Sequence, residues 1–281
     1  MSAVRNLNAG SQGLSLRPGP FLKWAGGKSQ LLPVFDKHFP PDFNRYFEPF
    51  IGGGAVFFHL LPPYAMLSDL NEELINSYQI IRDDVEALIC ELLIHRNDPD
   101  YFYNVRSWDP AKLSEVQRAA RTIFLNKTCF NGLYRVNSQG QFNTPFGKYK
   151  SPKICDADNL RAVSALLANA IVNCQSFEQI LHQATKADFL YLDPPYQPIS
   201  KTANFTGYTK NAFRSEDQER LALTFRKLSR RGCYVMLSNS DSEYVRDLYS
   251  KFTIKVVRAN RAINCKGERR GRINELLIMN Y

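Results

Sequence analysis

The chain has 281 residues, of which 44% are hydrophobic and 22% are charged, a balance typical of a globular protein with a substantial core. Its 36 Lys and Arg residues outnumber its 27 Asp and Glu residues by nine. This charge favours an anionic partner, with nucleic acid first; the alternative is a basic protein that binds no polyanion. No apolar run reaches about 18 residues, so we expect neither a membrane span nor a signal peptide.

Cysteine and histidine are scattered along the chain. The six cysteines stand at positions 90, 129, 155, 174, 233 and 265, and no two form a Cys-x-x-Cys pair. We therefore expect no metal site and no disulfide framework, and a reducing, cytoplasmic location. Residues 1–20 are rich in Gly, Ser, Asn and Pro, which predicts a disordered leader.

The first half of the chain predicts a βαβ unit. We expect a helix at about 28–39, a strand at 45–50, a glycine turn that opens an apolar helix, a second strand at 64–71 that ends at Asp69, and a long helix at about 71–96. A strand, a glycine turn, a helix and a strand in this order are typical of a parallel sheet.

The middle of the chain has a different pattern. Ser114 and Gln117 have the spacing of a capping box at the start of a helix. Residues 126–153 are rich in Asn, Gly, Lys and aromatic residues and have no helical period. The α/β alternation returns near Cys155, with helices at 156–169, 176–184, 215–230 and 241–250, and strands at 171–174, 188–193, 233–238, 252–258 and 273–280. We therefore predict an α/β domain of residues 21–75 and 156–281, with residues 76–155 inserted into it.

Two stretches suggest a nucleotide hydrolase. Gly27-Lys28-Ser29 is the end of a P-loop, and the apolar run before Asp193 is typical of a strand that presents a magnesium-binding acid. However, the first glycine of a P-loop would be residue 22, which is Leu, and no strand precedes it. Without that glycine the loop cannot wrap its N–H groups around a phosphate, so this interpretation ranks last.

A glycine turn with a following acid favours a nucleoside cofactor. In Phe50-x-Gly52-x-Gly54 the glycines let a ligand approach the backbone closely. Asp69 ends the next strand, where an acid can accept hydrogen bonds from both ribose hydroxyls. Residue 57 is Phe, not the third glycine of a dinucleotide fingerprint, which favours a cofactor without pyrophosphate, such as S-adenosylmethionine. Plain packing of the turn is the alternative.

The apolar run at 189–192 continues as Asp193-Pro194-Pro195-Tyr196. Two prolines exclude a regular helix or a continued ladder and make a stiff turn at the end of a buried strand. The Asp193 carboxylate and the Pro194 carbonyl can accept both hydrogens of an exocyclic amine, and the Tyr196 ring offers a stacking face. This set suits a planar aminated base such as adenine; a surface turn is the alternative.

With these motifs the chain resembles the Dam-type N6-adenine DNA methyltransferases over nearly all of residues 21–281. The resemblance rests on "FLKWAGGK", "EPFIGGGAVF", "SDLNEELINSY", "FNGLYR", "GQFNTPFGKYK", "LDPPY", "TANFTGY" and "LSN", in family order. It implies an S-adenosylmethionine-dependent methyltransferase fold, Rossmann-like, with a mixed sheet and an inserted, largely helical target-recognition domain at 76–155.

The resemblance also assigns roles to residues. Lys28 is expected to pair with the methionine end of the cofactor, and Phe177 to lie beside its adenine. Asp193, Pro194 and Tyr196 are the expected catalytic residues. The whole expected cofactor site comprises Trp24, Lys28, Phe50, Gly52, Gly54, Asp69, Phe177 and Asp193.

The implied reaction transfers a methyl group to N6 of an adenine flipped out of duplex DNA. Tyr196 would stack on the base, with Phe205 or Tyr208 closing above it. Hydrogen bonds to Asp193 and to the Pro194 carbonyl would stabilise the positive charge that develops on N6. Direct in-line transfer needs no covalent enzyme intermediate, so no cysteine is expected to be catalytic.

The resemblance implies GATC as the DNA target. Leu133, Arg135 and Pro145 would read bases, and Phe130 and Asn131 would fill the gap left by the flipped adenine. The basic loop at 258–272 would contact phosphates. The expected DNA-binding residues are Lys23, Phe130, Asn131, Leu133, Arg135, Pro145, Lys148, Arg269 and Arg270. The alternatives are an ordinary aromatic hairpin and a solvated hairpin tip.

Two rival functions stay open at this point. A methyltransferase acting on RNA adenine or a protein amide would use the same turn, although "FNGLYR" and "GQFNTPFG" favour duplex DNA. The second rival is a catalytically inactive DNA-binding protein. The presence of the complete set of Lys28, Asp69 and the Asp193 turn argues against it. We expect a monomer; a role in restriction, repair or regulation is not readable.

Overall fold

The computed structural model describes residues 16–196, 213–260 and 272–281. Within these ranges the strands are β1 (Tyr46–Glu48), β2 (Ala65–Asp69), β3 (Ala170–Cys174), β4 (Phe189–Leu192), β5 (Tyr234–Ser240), β6 (Thr253–Asn260) and β7 (Arg272–Met279). They form one sheet with the order β3-β2-β1-β4-β5-β7-β6. Strands β1 to β5 are parallel, whereas β7 runs antiparallel between β5 and β6. The predicted mixed sheet is confirmed.

The helices lie on both faces of this sheet. They are α1 (Leu32–Phe35), α2 (Ala55–Leu60), α3 (Glu72–Asp83), α4 (Val85–Ile94), α5 (Pro99–Ser107), α6 (Glu115–Thr128), α7 (Ala157–Leu167), α8 (Ser215–Arg230) and α9 (Glu243–Leu248), with short 3-10 turns at Pro110–Lys112, Phe130–Gly132 and Phe177–His182. None of the helices in the described ranges is long and apolar enough to cross a bilayer.

Alternate residues of the central strands enter different layers. Tyr46 of β1 packs with Phe57 of α2 and Tyr78 of α3, in a core that also includes α7. Phe47, the next residue, packs with Leu221 and Phe225 of α8. Because successive side chains of a strand point to opposite faces, a strand buried on both faces is apolar throughout. The continuous apolar runs of the sequence have this origin.

The sequence-based bounds of several helices differ from the structure. The helix expected at 71–96 is two helices, because Asp84 leaves the helical region and its side chain caps α4 at the N–H of Ala87. The helix expected at 28–39 is limited to α1, and the one at 176–184 is a 3-10 turn. The capping box of Ser114 and Gln117 is confirmed.

A separate small core lies within the predicted insertion. Phe102 and Val105 of α5 pack against Phe124 and Leu125 of α6, and Phe142 from the following segment joins them. Isolated bridges between residues 129 and 146 and between 136 and 142 close that segment, 129–147, into an irregular hairpin. Residue 76, the predicted start of the insertion, lies inside α3, which packs on the sheet domain; the domain division itself stays a prediction.

The end of the predicted leader is held by hydrogen bonds. The backbone N–H of Gly19 donates to Asn159 Oδ1 at 2.9 Å, and Asn159 Nδ2 donates to the Gly19 carbonyl at 3.0 Å. Arg17 donates to the carbonyl of His59. Residues 1–15 of the leader lie outside the described residues.

A buried carboxylate fixes the amino ends of β1 and β4. Asp188 is fully buried and accepts hydrogen bonds from the backbone N–H and the guanidinium of Arg45, and from the N–H and hydroxyl of Thr185. Each neighbour supplies a donor, so the carboxylate is satisfied in an apolar setting. The two strands are therefore aligned from their first residues.

We expect Asp188→Asn to lower the free energy of unfolding by about 2–4 kcal/mol, because the amide presents N–H groups where Arg45 and Thr185 need an acceptor. The matched control is Asp83→Asn: Asp83 pairs with Arg82 but its side chain is 56% exposed, and the change should be below about 0.5 kcal/mol. Urea unfolding of both variants checks this, and equal effects would contradict the assignment.

Candidate active site

Three carboxyl groups meet at one edge of the sheet. Asp69 is the last residue of β2, Glu48 is the last residue of β1, and Asp193 directly follows β4. These three strands are neighbours and parallel, so their carboxyl ends share an edge. Strands β2 and β3 extend the sheet on one side of β1, and β4 and β5 extend it on the other, so the strand order switches between β1 and β4. Ligands of open α/β sheets bind at such a switch point.

The predicted glycine turn lies between β1 and α2, and two of its glycines have positive φ. Gly52 has φ 45° and Gly54 has φ 68°, values in the left-handed region that favours glycine. The Tyr78 hydroxyl donates to the Gly52 carbonyl at 3.1 Å, and a Cβ on Gly54 would lie 2.8 Å from that hydroxyl oxygen. The turn therefore accepts no side chain at Gly54.

Asp69 is held by this turn. The backbone N–H of Gly52 donates to its Oδ2 at 3.3 Å, and the N–H of Asn71 donates to its Oδ1 at 3.0 Å. Burial raises the pKa of Asp69 to about 6, against the lowering effect of these N–H groups. The structure thus brings together two of the predicted cofactor residues, Gly52 and Asp69.

Trp24 connects three parts of the chain. Its indole lies against the glycine turn, where a Cβ on Gly52 would come within 2.7 Å of Trp24 Cδ1. The same indole stacks on Tyr134 of the 129–147 hairpin, with ring centroids 5.2 Å apart and an interplanar angle of 25°. Trp24 is therefore positioned by both the glycine turn and the hairpin.

Aromatic rings line the site beyond β1 and β3. Phe50 and Phe177 stack with centroids 5.4 Å apart, and Phe213 meets Phe50 edge-on at 5.9 Å. The guanidinium of Arg220 lies 5.9 Å from the centre of the Phe177 ring. An apolar, flat-sided wall of this kind suits a planar ring system.

Asp193 is paired with Lys28. The ammonium Nζ lies 2.8 Å from Asp193 Oδ2, with side-chain exposures of 5% for Lys28 and 20% for Asp193. The same ammonium donates to the Gly26 carbonyl at 2.6 Å and lies 4.9 Å from the centre of the Tyr196 ring. Burial raises the pKa of Asp193 to about 6, and the charge of Lys28 opposes that rise.

The turn that follows Asp193 is anchored at two points. The Tyr196 hydroxyl donates to Glu275 Oε2 at 2.8 Å. Gln218 donates to the Pro195 carbonyl at 3.4 Å and accepts from Asn239 at 3.0 Å, and both of these amides are fully buried. In the part of the chain that the structure describes, no donor hydrogen-bonds to the Pro194 carbonyl.

Glu48 lies beneath the site and was not singled out from the sequence. Its side chain is 3% exposed and accepts a hydrogen bond from the Tyr46 hydroxyl at 2.7 Å. Burial raises its pKa well above the usual range, and the negative charge of Asp193 adds to this. Glu48 lies inside the strand predicted at 45–50, whereas in the structure it is the last residue of β1, as Asp69 is of β2.

Asn126 of α6 links the first loop to the inserted segment. Its Oδ1 accepts from the Lys23 N–H at 2.8 Å, and its Nδ2 donates to the Lys23 carbonyl at 2.8 Å and to the Gly132 carbonyl at 3.0 Å. The Lys23 ammonium lies 4.4 Å from the centre of the Tyr149 ring. No pattern in the sequence indicated this role for Asn126.

The residues predicted to contact DNA in the hairpin differ in exposure. Phe130 is 53% exposed, whereas Leu133 is only 8% exposed. The Arg135 guanidinium is held by Asn143, with Nε 2.7 Å from its Oδ1. Asn131 and Pro145 of the hairpin and Lys148 just after it are exposed, and two of these three residues have positive φ, Asn131 at 56° and Lys148 at 54°.

Several predicted residues lie outside the described ranges: Phe205 and Tyr208 of "TANFTGY", and Arg261, Lys266, Arg269 and Arg270 of the basic loop. Among the residues that are described, no group of three or more His, Cys, Asp or Glu side chains could hold a metal ion.

Comparisons with known proteins identify the family of this chain. A family model described as D12 class N6 adenine-specific DNA methyltransferase matches residues 24–263. A type II methyltransferase of Methanocaldococcus jannaschii is 46% identical over 93% of this chain and 99% of its own length. A type II methyltransferase of Lactococcus lactis is also 46% identical, over 93% of this chain and 95% of its own.

A third relative is a DNA adenine methylase of Escherichia coli, 36% identical over 92% of this chain and 94% of its own length. The family model covers most of the chain, and these relatives align over nearly their whole length. The chain therefore belongs to the D12 class of N6 adenine-specific DNA methyltransferases and is an enzyme that methylates adenine in DNA.

Proposed function

We propose that this enzyme transfers the methyl group of S-adenosylmethionine to N6 of a flipped-out adenine in duplex DNA, at GATC. The observation that carries the proposal is the Lys28–Asp193 pair at the carboxyl edge of the sheet. There the Asp193 carboxylate, the Pro194 carbonyl and the Tyr196 ring follow β4, the neighbour of β1, which leads into the glycine turn. This arrangement provides two acceptors and a stacking face for an aminated base beside a nucleoside site.

The residues around the glycine turn fit S-adenosylmethionine. Asp69 is a carboxylate at the end of β2, suited to two ribose hydroxyls. The Phe50 and Phe177 rings offer an apolar wall to the adenine. Lys28 supports the methionine carboxylate as a cation at the mouth of the turn. When bound, the cofactor supplies an electrophilic methyl group on a sulfonium.

The chain's own groups then act on the target adenine. Tyr196 stacks on the base, and the Asp193 carboxylate and the Pro194 carbonyl accept the two hydrogens of the amine. These acceptors face the nitrogen where positive charge develops as its lone pair attacks the methyl carbon. Asp193, whose pKa lies near 6, can also take up the proton that the methylated nitrogen loses.

The inserted residues 76–155 act in this proposal as the target-recognition domain. Phe130 is exposed and can fill the space of the flipped base, with Asn131 beside it. Arg135 has a guanidinium that can pair with a guanine edge. Pro145, Lys148 and Lys23 are exposed and complete the surface, and Leu133, only 8% exposed, is assigned to the same base contacts. Arg269 and Arg270 are assigned to DNA phosphates.

The proposal is tested with tritiated S-adenosylmethionine and two duplexes, one with a single GATC and one in which that adenine is replaced. We expect label in the first duplex alone. Asp193→Ala should lower transfer by about 100- to 1,000-fold, because the developing charge loses its acceptor, while cofactor binding changes far less. Asp83→Ala, at an exposed acid, is the control.

Each other outcome of that experiment has a separate meaning. Label in both duplexes would keep the activity and reject GATC. Cofactor binding without label in either would reject duplex DNA under these conditions, and a single-stranded RNA of the same sequence would then be tested. Near-normal activity of Asp193→Ala would reject the proposed mechanism.

The pKa of Asp69 predicts how cofactor affinity depends on pH. The ribose hydroxyls need the ionised carboxylate, so affinity should be constant above about pH 7 and fall by up to about tenfold per unit below pH 6. Isothermal titration of the enzyme with S-adenosylmethionine from pH 5 to 8 measures this. Asp69→Asn should bind more weakly and lose the dependence; an unchanged dependence would place the titrating group elsewhere.

Arg135 predicts a change in sequence preference. Arg135→Ala should lower kcat/KM on the GATC duplex by about 5- to 150-fold, the equivalent of about 1–3 kcal/mol for one base contact, and relax discrimination at one position. Lys150→Ala, an exposed lysine of the same segment, should weaken all duplexes alike. Steady-state kinetics on singly substituted duplexes distinguish these two variants. Equal losses of kcat/KM on all duplexes for Arg135→Ala would contradict a base contact by Arg135.

A further inference from the structure

Glu275 reaches the catalytic turn from the antiparallel part of the sheet. In β7 its backbone pairs with Ser240 of β5 and with Val257 of β6, so two neighbouring strands fix its position. Its Oε2 accepts the hydrogen bond of the Tyr196 hydroxyl at 2.8 Å. The Tyr196 ring is therefore held by a rigid element that contributes no other residue to the proposed reaction.

The Tyr196 hydroxyl is placed between two carboxyl groups. It also faces Asp193, and a hydrogen bond from it to Asp193 would lower the pKa of that acid. A phenol has one proton to donate, so donation to Glu275 withholds that proton from Asp193. Since Lys28 already occupies Asp193 Oδ2, a second donor there would leave the carboxylate less able to accept a substrate amine.

We propose that Glu275 is a positioning residue for methyl transfer. It retains the Tyr196 hydroxyl, which fixes the ring as a stacking face and leaves the Asp193 carboxylate open to the target amine. This inference rests on the proposed function, because it assumes that Asp193 and Tyr196 receive the adenine. It adds a residue for which the sequence offered no signal.

The charges around Asp193 predict how the pH dependence of kcat differs between variants of Glu275 and Tyr196. The negative charge of Glu275 raises the pKa of Asp193, whereas a hydrogen bond from Tyr196 to Asp193 would lower it. Glu275→Gln removes that charge and frees the Tyr196 proton, so it should move the acid limb of the kcat profile to lower pH, whereas Tyr196→Phe, which removes the donor, should not. The titratable groups that face this cluster are Lys28 of the first loop, Glu48 of β1, Tyr191 of β4, Asp193 and Tyr196 of the turn, and Glu275 of β7.

The experiment measures kcat for methyl transfer to a duplex between pH 5 and 8 in wild type, Glu275→Gln, Tyr196→Phe and the double variant. We expect Tyr196→Phe, which removes the hydrogen bond, to lower kcat at neutral pH by about tenfold. Glu275→Gln keeps an acceptor oxygen but removes its charge, and should lower kcat by a smaller factor. The double variant should be no slower than Tyr196→Phe, because Glu275 acts through the hydroxyl. Glu243→Gln, at an exposed acid of α9, should leave kcat unchanged.

Three results would overturn the inference. They are an unaltered kcat and pH profile in Glu275→Gln, additive losses in the double variant, and shifts of the acid limb in the same direction for both single variants. Cofactor affinity and thermal unfolding are measured in parallel; if Glu275→Gln does not fold, Tyr196→Phe still removes the same hydrogen bond. Failure of wild type to methylate any duplex would overturn the proposed function as well, whereas an active wild type with an unaltered Glu275→Gln would overturn the inference alone.

Discussion

The buried ion pair of Lys28 and Asp193 is the interaction on which the site depends. An isolated carboxylate at the end of an apolar strand would be costly to ionise, and the ammonium 2.8 Å away offsets part of that cost. The pair also joins the first loop of the chain to the turn after β4, residues that are 165 apart in sequence. Placing these two charges together requires the whole central sheet.

The same edge of the sheet separates two kinds of carboxyl group. Asp69 lies among backbone N–H groups of the glycine turn, whereas Glu48 lies deeper, with a tyrosine hydroxyl and little water. Asp193 is paired with the Lys28 cation. Burial raises the pKa of all three acids, to about 6 for Asp69 and Asp193 and well above the usual range for Glu48.

Much of this arrangement could be predicted from the sequence, and the rest depends on tertiary contacts. Apolar runs predicted the strands because the sheet is covered on both faces, and Asp193 with its two prolines marked the site. Helix α5 was missed, although Asp98 followed by Pro99 is a start signal: the Asp98 side chain caps the N–H of Tyr101. The break at Asp84 is a local cap on the N–H of Ala87, which the continuous apolar spacing concealed. The contacts of Asn126, Gln218 and Glu275 join segments far apart in the chain, for which a local pattern has no signal.

Asn126 has a consequence for transplanting recognition between relatives. One buried amide binds both backbone groups of Lys23 and the carbonyl of Gly132, and Trp24 stacks on Tyr134 next to them. The hairpin therefore does not pack independently of the first loop and α6. A chimaera that exchanges residues 129–147 alone would pack a foreign hairpin against the original 21–28 loop. A functional chimaera must therefore exchange the 21–28 loop, α6 and the hairpin together.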